Sequence, residues 1–411
     1  MTAFLIQNMA PIMFVALVVF LLLGYPAAFS LGAVGLIFAL IGIELGQFAP
    51  DFLQALPERI YGVMSNDTLL AIPFFTFMGL VLERSGMAED LLDTIGQLFG
   101  TVRGGLAYAV IFVGALLAAT TGVVAASVIS MGLISLPIML RYGYDRRVAS
   151  GVIAASGTLA QIIPPSLVLI VMADQLGRSV GDMYEGAFIP GLVLAGLYAL
   201  YIFIVTVLYP KATPGLPTEA VGFREPGGSR GLTSLAVLTV VSGMFGWLMM
   251  RNSATRGADF VVLSMFFGIM FAFGIAVINW LANRLLGFRF LSHIAQQTTF
   301  VMVPPLFLIF LVLGTIFIGV ATPTEGGAMG ASGALILGAL KRRLNWDLIR
   351  QATESTAKLS AFVVFILIGA RVFSLTFYGV SGHIWVEHLL TSLPGGQIGF
   401  LLFVNAFVFV L

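Results

Sequence analysis

The chain has 411 residues, of which 59% are hydrophobic and only 9% charged, with a net charge of +1 and no cysteine. Soluble domains carry about 25% charged residues, so this composition excludes an ordinary soluble domain, and the balanced charge gives no reason to expect a nucleic-acid partner. Without cysteine there are no disulfides or thiolate metal sites, and His293, His383 and His388 form no His-Glu-x-x-His metalloprotease pattern.

A bilayer core takes about 20 apolar residues per helix. Apolar runs predict spans at 5–23, 27–43, 67–83, 148–173 (broken), 187–209, 232–250, 260–282, 298–318, 323–340 and 357–378. The N-terminus carries no side-chain positive charge and leads directly into a second span, so it reads as a first transmembrane helix and not a cleaved signal peptide. The segments Pro50 to Tyr61 and Leu344 to Ala357 are amphipathic and are expected to lie along the membrane surface as arms. The region 211–230 is a Pro/Gly-rich polar loop that separates two halves.

Two apolar runs, 105–140 and 397–411, do not fit a simple span. The first is interrupted at Thr120-Thr121-Gly122. Loop charge chooses between a span and a hairpin, because Lys and Arg favour the cytoplasmic side. Arg141, Arg146 and Arg147 outweigh Asp145, and Lys341, Arg342, Arg343 and Arg350 outweigh Asp347, so both loops read as cytoplasmic. Asp174, Asp182 and Glu185 outweigh Arg178, which puts that loop outside. A helical hairpin over 105–140, entering and leaving from the cytoplasm, reconciles these loops with an outside N-terminus; Arg251 and Arg256 are then the misfit.

The strongest local signal is Gly157-Thr-Leu-Ala-Gln-Ile-Ile-Pro-Pro-Ser166. Tandem prolines remove two N–H donors and disfavour helix at the preceding residue. Backbone groups freed at membrane depth cost several kcal/mol each unless bound, and carriers use such breaks to hold substrate or coupling ion. A proline kink for packing is the simpler alternative. The small-residue tip Ala118 to Ser127 offers hydroxyls and carbonyls suited to a hard cation such as Na⁺, but it is equally a close-packing seam.

The two halves resemble each other. Gly24-Tyr-Pro-Ala-Ala-Phe-Ser-Leu-Gly32 and Gly319-Val-Ala-Thr-Pro-Thr-Glu-Gly-Gly327 each follow a span, and an amphipathic segment and a further span come next. Arg103-Gly-Gly then pairs with Pro394-Gly-Gly. The charge assignment puts these ends on opposite sides, as in an inverted-repeat carrier. With Gly395 laid on Gly104, residue 411 falls on residue 120, so the chain is expected to be a piece of a longer protein whose second hairpin turns further on. Thr322-Pro-Thr-Glu325 reads chiefly as a helix start, with the Glu325 carboxylate complementing the dipole.

Several of these stretches together carry a family resemblance. They are Leu70-Ala-Ile-Pro-Phe-Phe-Thr-Phe-Met-Gly79 with Ser85-Gly86, the hairpin to Pro137 and Gly143-Tyr144, Gly157-Thr158 with Ile163-Pro-Pro-Ser166, Gly186-Ala-Phe-Ile-Pro-Gly191, and Thr322-Pro-Thr-Glu325. The chain resembles the large membrane subunit (DctM-like) of a tripartite ATP-independent periplasmic (TRAP) transporter. The resemblance implies an all-α polytopic membrane protein of the inverted-repeat elevator type, with re-entrant helical hairpins, broken helices and a truncated second repeat. It implies no enzyme, but secondary, Na⁺-coupled import of an organic acid such as a dicarboxylate across the bacterial inner membrane. The partners implied are a periplasmic substrate-binding protein, a small membrane subunit (DctQ-like) and the lipid bilayer. A stand-alone Na⁺-coupled carboxylate carrier is the alternative.

On this reading 1–103 holds scaffold and arm helices, and 104–176 the first transport-domain half. Connecting spans, with two extra helices, occupy 177–290; second-repeat scaffold and arms occupy 291–396, and a second hairpin starts over 397–411. The implied Na⁺ ligands are Thr120, Thr121 and Gly122 at the tip and Gly157, Thr158, Pro164, Pro165 and Ser166 at the break, with backbone carbonyls counting as much as side chains. Gln161, Thr121 and Ser166 are the expected substrate contacts. The tip differs from the family's Ser-Gly-Ser-Ser-like pattern, and its fewer hydroxyls favour backbone ligation.

Overall fold

The computed structural model describes all residues except 1, 122–123, 218–230, 254, 393 and 411, and the side chains at 2–3, 118–121 and 125–126 also lie outside the description. Among the described residues there is no strand. In chain order the helices are α1 (Thr2–Gln7), α2 (Met9–Leu22), α3 (Ala27–Glu44), α4 (Leu56–Met64), α5 (Ala71–Arg84), α6 (Met87–Phe99), α7 (Gly105–Thr121), α8 (Val124–Arg141) and α9 (Arg146–Thr158). They continue with α10 (Leu167–Leu176), α11 (Val180–Leu208), α12 (Leu232–Met250), α13 (Gly257–Leu286), α14 (His293–Phe317), α15 (Pro323–Leu340), α16 (Trp346–Gly379), α17 (Gly382–Thr391) and α18 (Gly396–Val410). Short 3-10 turns sit at Pro50–Ala55, Asp67–Leu70 and Leu159–Gln161.

Six of these helices, α3, α11, α12, α13, α14 and α16, are long and apolar enough to cross a bilayer, or up to eight spans if each of two bent pairs counts as one. Their apolar side chains face outward as well as inward. On α11 Leu197, Tyr201, Phe203 and Val207 are exposed, and on α12 Val237 and Val240. A helix that is apolar all round and still uncovered is solvated by lipid.

The chain divides into two compact units, Met1–Asn66 with Lys358–Leu411, and Asp67–Ala357. In the first, Met13, Leu17 and Val34 form a core against Phe373 and Phe377. Close approach of α3 and α16 needs glycine at both crossings: a Cβ on Gly35 would lie 2.9 Å from the Phe373 backbone, and one on Gly369 2.5 Å from the Ala28 carbonyl oxygen. The Thr376 hydroxyl donates to the Gly35 carbonyl at 2.8 Å, so the seam is also hydrogen-bonded.

The second unit carries α5 to α15. Here α15 lies on α5 through small residues; a Cβ on Gly327 would meet Phe74 and one on Gly330 would meet Met78. The start of α15 is a full capping box: the Thr322 hydroxyl accepts from the Glu325 N–H, and the Glu325 carboxylate accepts from the Thr322 N–H at 2.8 Å. The helix-start reading of Glu325 therefore holds. At the end that loop charge assigns to the cytoplasm, Asp90 on α6 pairs with Lys341 and Arg343, each at 3.0 Å. Arg343 also donates to the Ser85 carbonyl at 3.1 Å, and Arg84 binds Gln351 and Ser355.

Three sequence expectations change in detail. The first span is two helices, because the chain is interrupted at Asn8 between α1 and α2. The amphipathic segment Leu344 to Ala357 is not separate from the span after it. Both belong to α16, since no glycine or proline interrupts the chain from Trp346 to Ile368. The loop 211–230 is not simply a spacer: its described part, 211–217, is bound back onto the hairpin base, as set out next.

Candidate functional site

The site lies within the second unit, where α7 and α8 fold back as a hairpin. The two ends of that hairpin meet: the Leu106 N–H, in the first turn of α7, donates to the Tyr144 hydroxyl just after α8, at 3.2 Å. Tyr144 thereby satisfies one of the donors that every helix start leaves open. Burial pushes its phenol up to about 12, so it stays neutral. Residues 211–217 strap the same base. The Gly104 N–H donates to the Thr213 carbonyl, the Asp145 N–H to the Ala212 carbonyl and the Leu216 N–H to the Gly100 carbonyl, all at 3.0–3.1 Å. Thr213 is fully buried and its hydroxyl donates to Thr206 at 3.0 Å. Gly104 has φ +76°, where a Cβ would lie 2.7 Å from the Thr206 hydroxyl, so glycine is required there. Composition marked this loop as polar; its long-range bonds left no signal in sequence.

Tyr144→Phe is expected to leave the Leu106 N–H buried and unmet, lowering stability by about 1–3 kcal/mol. Thermal unfolding of the purified protein in detergent checks this; an unchanged midpoint would mean the hydroxyl does not hold the base.

The break is where the prolines place it. The helix α9 ends at Thr158, a 3-10 turn covers Leu159–Gln161, Pro164–Pro165 is cis, and α10 begins at Leu167. In a continuous helix the Ala160 and Gln161 carbonyls would accept from residues 164 and 165, both prolines without N–H. The Gln161 carbonyl finds a substitute in the Ser166 hydroxyl, at 2.7 Å. The same hydroxyl caps α10, accepting from the Leu169 N–H at 3.5 Å. Ser166, Pro164 and Pro165 are buried, whereas Gln161 and Thr158 are exposed. Thr158 donates to the Ala155 carbonyl at 2.7 Å and contacts the Tyr198 hydroxyl of α11 at 3.2 Å.

Hairpin and break are in van der Waals contact. A Cβ on Gly114 of α7 would lie 2.6 Å from the Ser156 Cβ, and one on Gly157 of α9 would lie 2.2 Å from Cγ2 of Val128 on α8. The turn Leu159–Gln161 packs on α7. The structure thus brings together Gly157, Thr158, Gln161, Pro164, Pro165 and Ser166. At the tip, Thr120 and Thr121 end α7 in helical backbone, while their side chains and Gly122 lie outside the described residues. Sequence reasoning missed Tyr198, whose hydroxyl reaches the break from the long apolar span α11. A polar group in such a span was the available signal.

A many-span helical protein with a hairpin packed on an interrupted helix has the architecture of a membrane carrier. The family model described as "Tripartite ATP-independent periplasmic transporter, DctM component" matches residues 14–411, and the chain belongs to this family. It is 33% identical over 196 residues to the C4-dicarboxylate TRAP transporter large permease protein DctM of Pseudomonas aeruginosa, covering 48% of this chain and 45% of that one. It is 23% identical over 402 residues to the isethionate TRAP transporter permease protein DctMQ of Oleidesulfovibrio alaskensis, covering 98% and 51%. Against the ectoine TRAP transporter large permease protein TeaC of Halomonas elongata the identity is 28% over 213 residues, covering 51% and 47%. The chain spans about half the length of these relatives.

Proposed function

We propose that this protein is the large transmembrane subunit of a Na⁺-coupled carrier that imports an organic acid, a carboxylate, across the bacterial inner membrane. The observation that carries this reading is the interrupted helix between Thr158 and Leu167, packed at Gly157 and Ser156 onto both arms of a helical hairpin. A hairpin tip and a helix break offer clustered backbone carbonyls at membrane depth, and oxygen ligands suit a hard cation. Thr120, Thr121 and Gly122 supply the tip side of this Na⁺ half-site. Gly157, Thr158, Pro164, Pro165 and Ser166 supply the break side, largely through the backbone, since Ser166 and Thr158 already spend their hydroxyls on neighbouring groups. Gln161, exposed at the break, contacts substrate along with Thr121 and Ser166.

The paired segments of the two halves support inverted repeats and an elevator movement of hairpin and break against a scaffold. Membership in this family supports a periplasmic binding protein and a small membrane subunit as its partners. The relatives' names, covering C4-dicarboxylate, isethionate and ectoine, leave the particular substrate open.

Uptake into proteoliposomes by the native protein, with its small subunit, tests the reading across a panel of carboxylates and sugar acids. Uptake requiring both a Na⁺ gradient and a binding protein is expected. Uptake with Na⁺ alone makes it a stand-alone carrier, and uptake indifferent to Na⁺ overturns the coupling. In the same assay Thr121→Val and Ser166→Ala are expected to weaken Na⁺ activation if their hydroxyls contribute. Unchanged activation in both variants assigns the ion wholly to backbone carbonyls.

A further inference from the structure

Two apolar cavities in the second unit join into one cleft. The larger, about 520 Å³, lies between α6 and α7 on one side and α12, α13 and α14 on the other. The smaller, about 380 Å³, continues along α7, α11 and α14 as far as Ile163 and Pro164 of the break. Phe99, Phe112, Met265 and Leu306 line both. No charged residue lines either one among the described residues. The wall of the larger cavity presents no free donor at its surface: Thr239 and Thr299 donate to the Leu235 and Ala295 carbonyls of their own helices, and the oxygens of Ser242, Ser264 and Thr298 are buried, with no hydrogen-bond partner.

With no charge and no free donor at its surface this lining does not recognise a carboxylate, and its few hydroxyl oxygens are too sparse for a Na⁺ shell or a well-held water. Left empty, its walls would forgo packing contacts. The cleft is partly open, and α12, α13 and α14 in its walls are long and apolar enough to cross a bilayer, with side chains such as Val237 and Val240 uncovered, so acyl chains are the medium beside these helices. A partner helix does not fit. A helix is about 10 Å across with a 5.4 Å pitch, so the larger cavity holds roughly a single turn. An unbranched hydrocarbon chain suits a long, narrow apolar space.

We propose that the cleft holds one acyl chain of a bilayer phospholipid, which fills the gap between the α12–α13 pair and the hairpin and reaches toward Ile163 and Pro164. The proposal rests on the chain being embedded in a membrane and not on Na⁺ coupling, so the two fail separately.

Gly243 lines the larger cavity, and a Cβ there meets nothing within 4 Å, so Gly243→Phe starts its side chain without a backbone clash and adds bulk beside the space. Gly274 on α13 is equally open around its Cβ but lines neither cavity, so Gly274→Phe is the control. The native protein and both variants would be purified in mild detergent, and retained lipid identified by mass spectrometry. Thermal unfolding would then be followed after delipidation, with and without added phosphatidylethanolamine or phosphatidylglycerol. The expected result is a phospholipid retained by the native protein and Gly274→Phe but lost from Gly243→Phe, with phospholipid add-back raising the unfolding midpoint only in the first two. Equal retention in all three overturns the proposal. Should Gly243→Phe fail to fold, the native protein alone decides: a midpoint unmoved by phospholipid, or retention of no phospholipid, overturns it.

Discussion

Replacing Gly246 with leucine is expected to separate α12 from α13 and to destabilise the second unit by about 3 kcal/mol, the upper part of the usual overpacking range. The two helices cross through reciprocal small residues. A Cβ on Gly246 would lie 2.0 Å from the Ser264 carbonyl oxygen and 3.0 Å from the Gly268 N, and a Cβ on Gly268 would lie 2.8 Å from the Ser242 carbonyl oxygen. These obstacles are backbone atoms, so no rotamer change relieves them; α13 must move as a body. Ser242 and Gly246 are four apart on α12, and Ser264 and Gly268 four apart on α13, which is the small-xxx-small spacing that lets membrane helices approach closely. In lipid, where burial of apolar surface drives no association between helices, close packing of this kind holds the pair, together with the Phe245–Phe271 stack at 4.4 Å. Thermal unfolding in detergent reads the effect. Gly274→Leu, with nothing within 4 Å of its Cβ, is the tolerated control, and equal midpoints for the two variants would show that the crossing is not a tight one.

Gly157→Ala is expected to cost about 1–3 kcal/mol and to abolish transport. The new methyl would sit 2.2 Å from Cγ2 of Val128 and 3.2–3.3 Å from the Val128 N and Cα. Valine is stiff about χ1, so the hairpin arm α8 must retreat from α9 next to the break. The double variant Gly157→Ala with Val128→Ala removes the worst contact and is expected to recover part of both stability and uptake. Failure of the second substitution to restore anything would show that Gly157 matters for a reason other than this contact.

These effects divide by what a single sequence can show. The break was legible because two adjacent prolines decide it locally: Pro164 and Pro165 withhold donors from the Ala160 and Gln161 carbonyls whatever surrounds them. The hairpin was legible too, since Arg103 and Arg141 needed a common side and Tyr144 does meet Leu106. The capping box at Thr322 and Glu325 is likewise a short-range pattern. Contacts between distant segments were not legible. The Thr213 strap, the Tyr198–Thr158 pair and the Gly157–Val128 approach each depend on residues far apart in the chain, which composition and periodicity do not register. The Ser-x-x-x-Gly pairs on α12 and α13 were present in sequence, but small residues pervade a chain with 47 glycines, and the spacing acquires meaning only once the two helices are seen to cross there. The continuity of α16 was missed for a different reason. The change from amphipathic to apolar character near residue 357 marks where the helix meets a new environment, not where the backbone breaks.

The central claim is that hairpin tip and break together form a Na⁺ half-site, and Na⁺-dependent reactivity at the break tests it most directly. The chain has no cysteine, so Gln161→Cys introduces the one thiol in these 411 residues, at an exposed position beside the break. The rate of its alkylation would be measured in the native membrane protein in NaCl and in choline chloride at equal ionic strength, with a separate Tyr142→Cys variant, half-buried at the hairpin base, as reference. The account predicts that Na⁺ slows labelling at 161 in a saturable way and leaves 142 unchanged. Equal rates at 161 in both salts would contradict it.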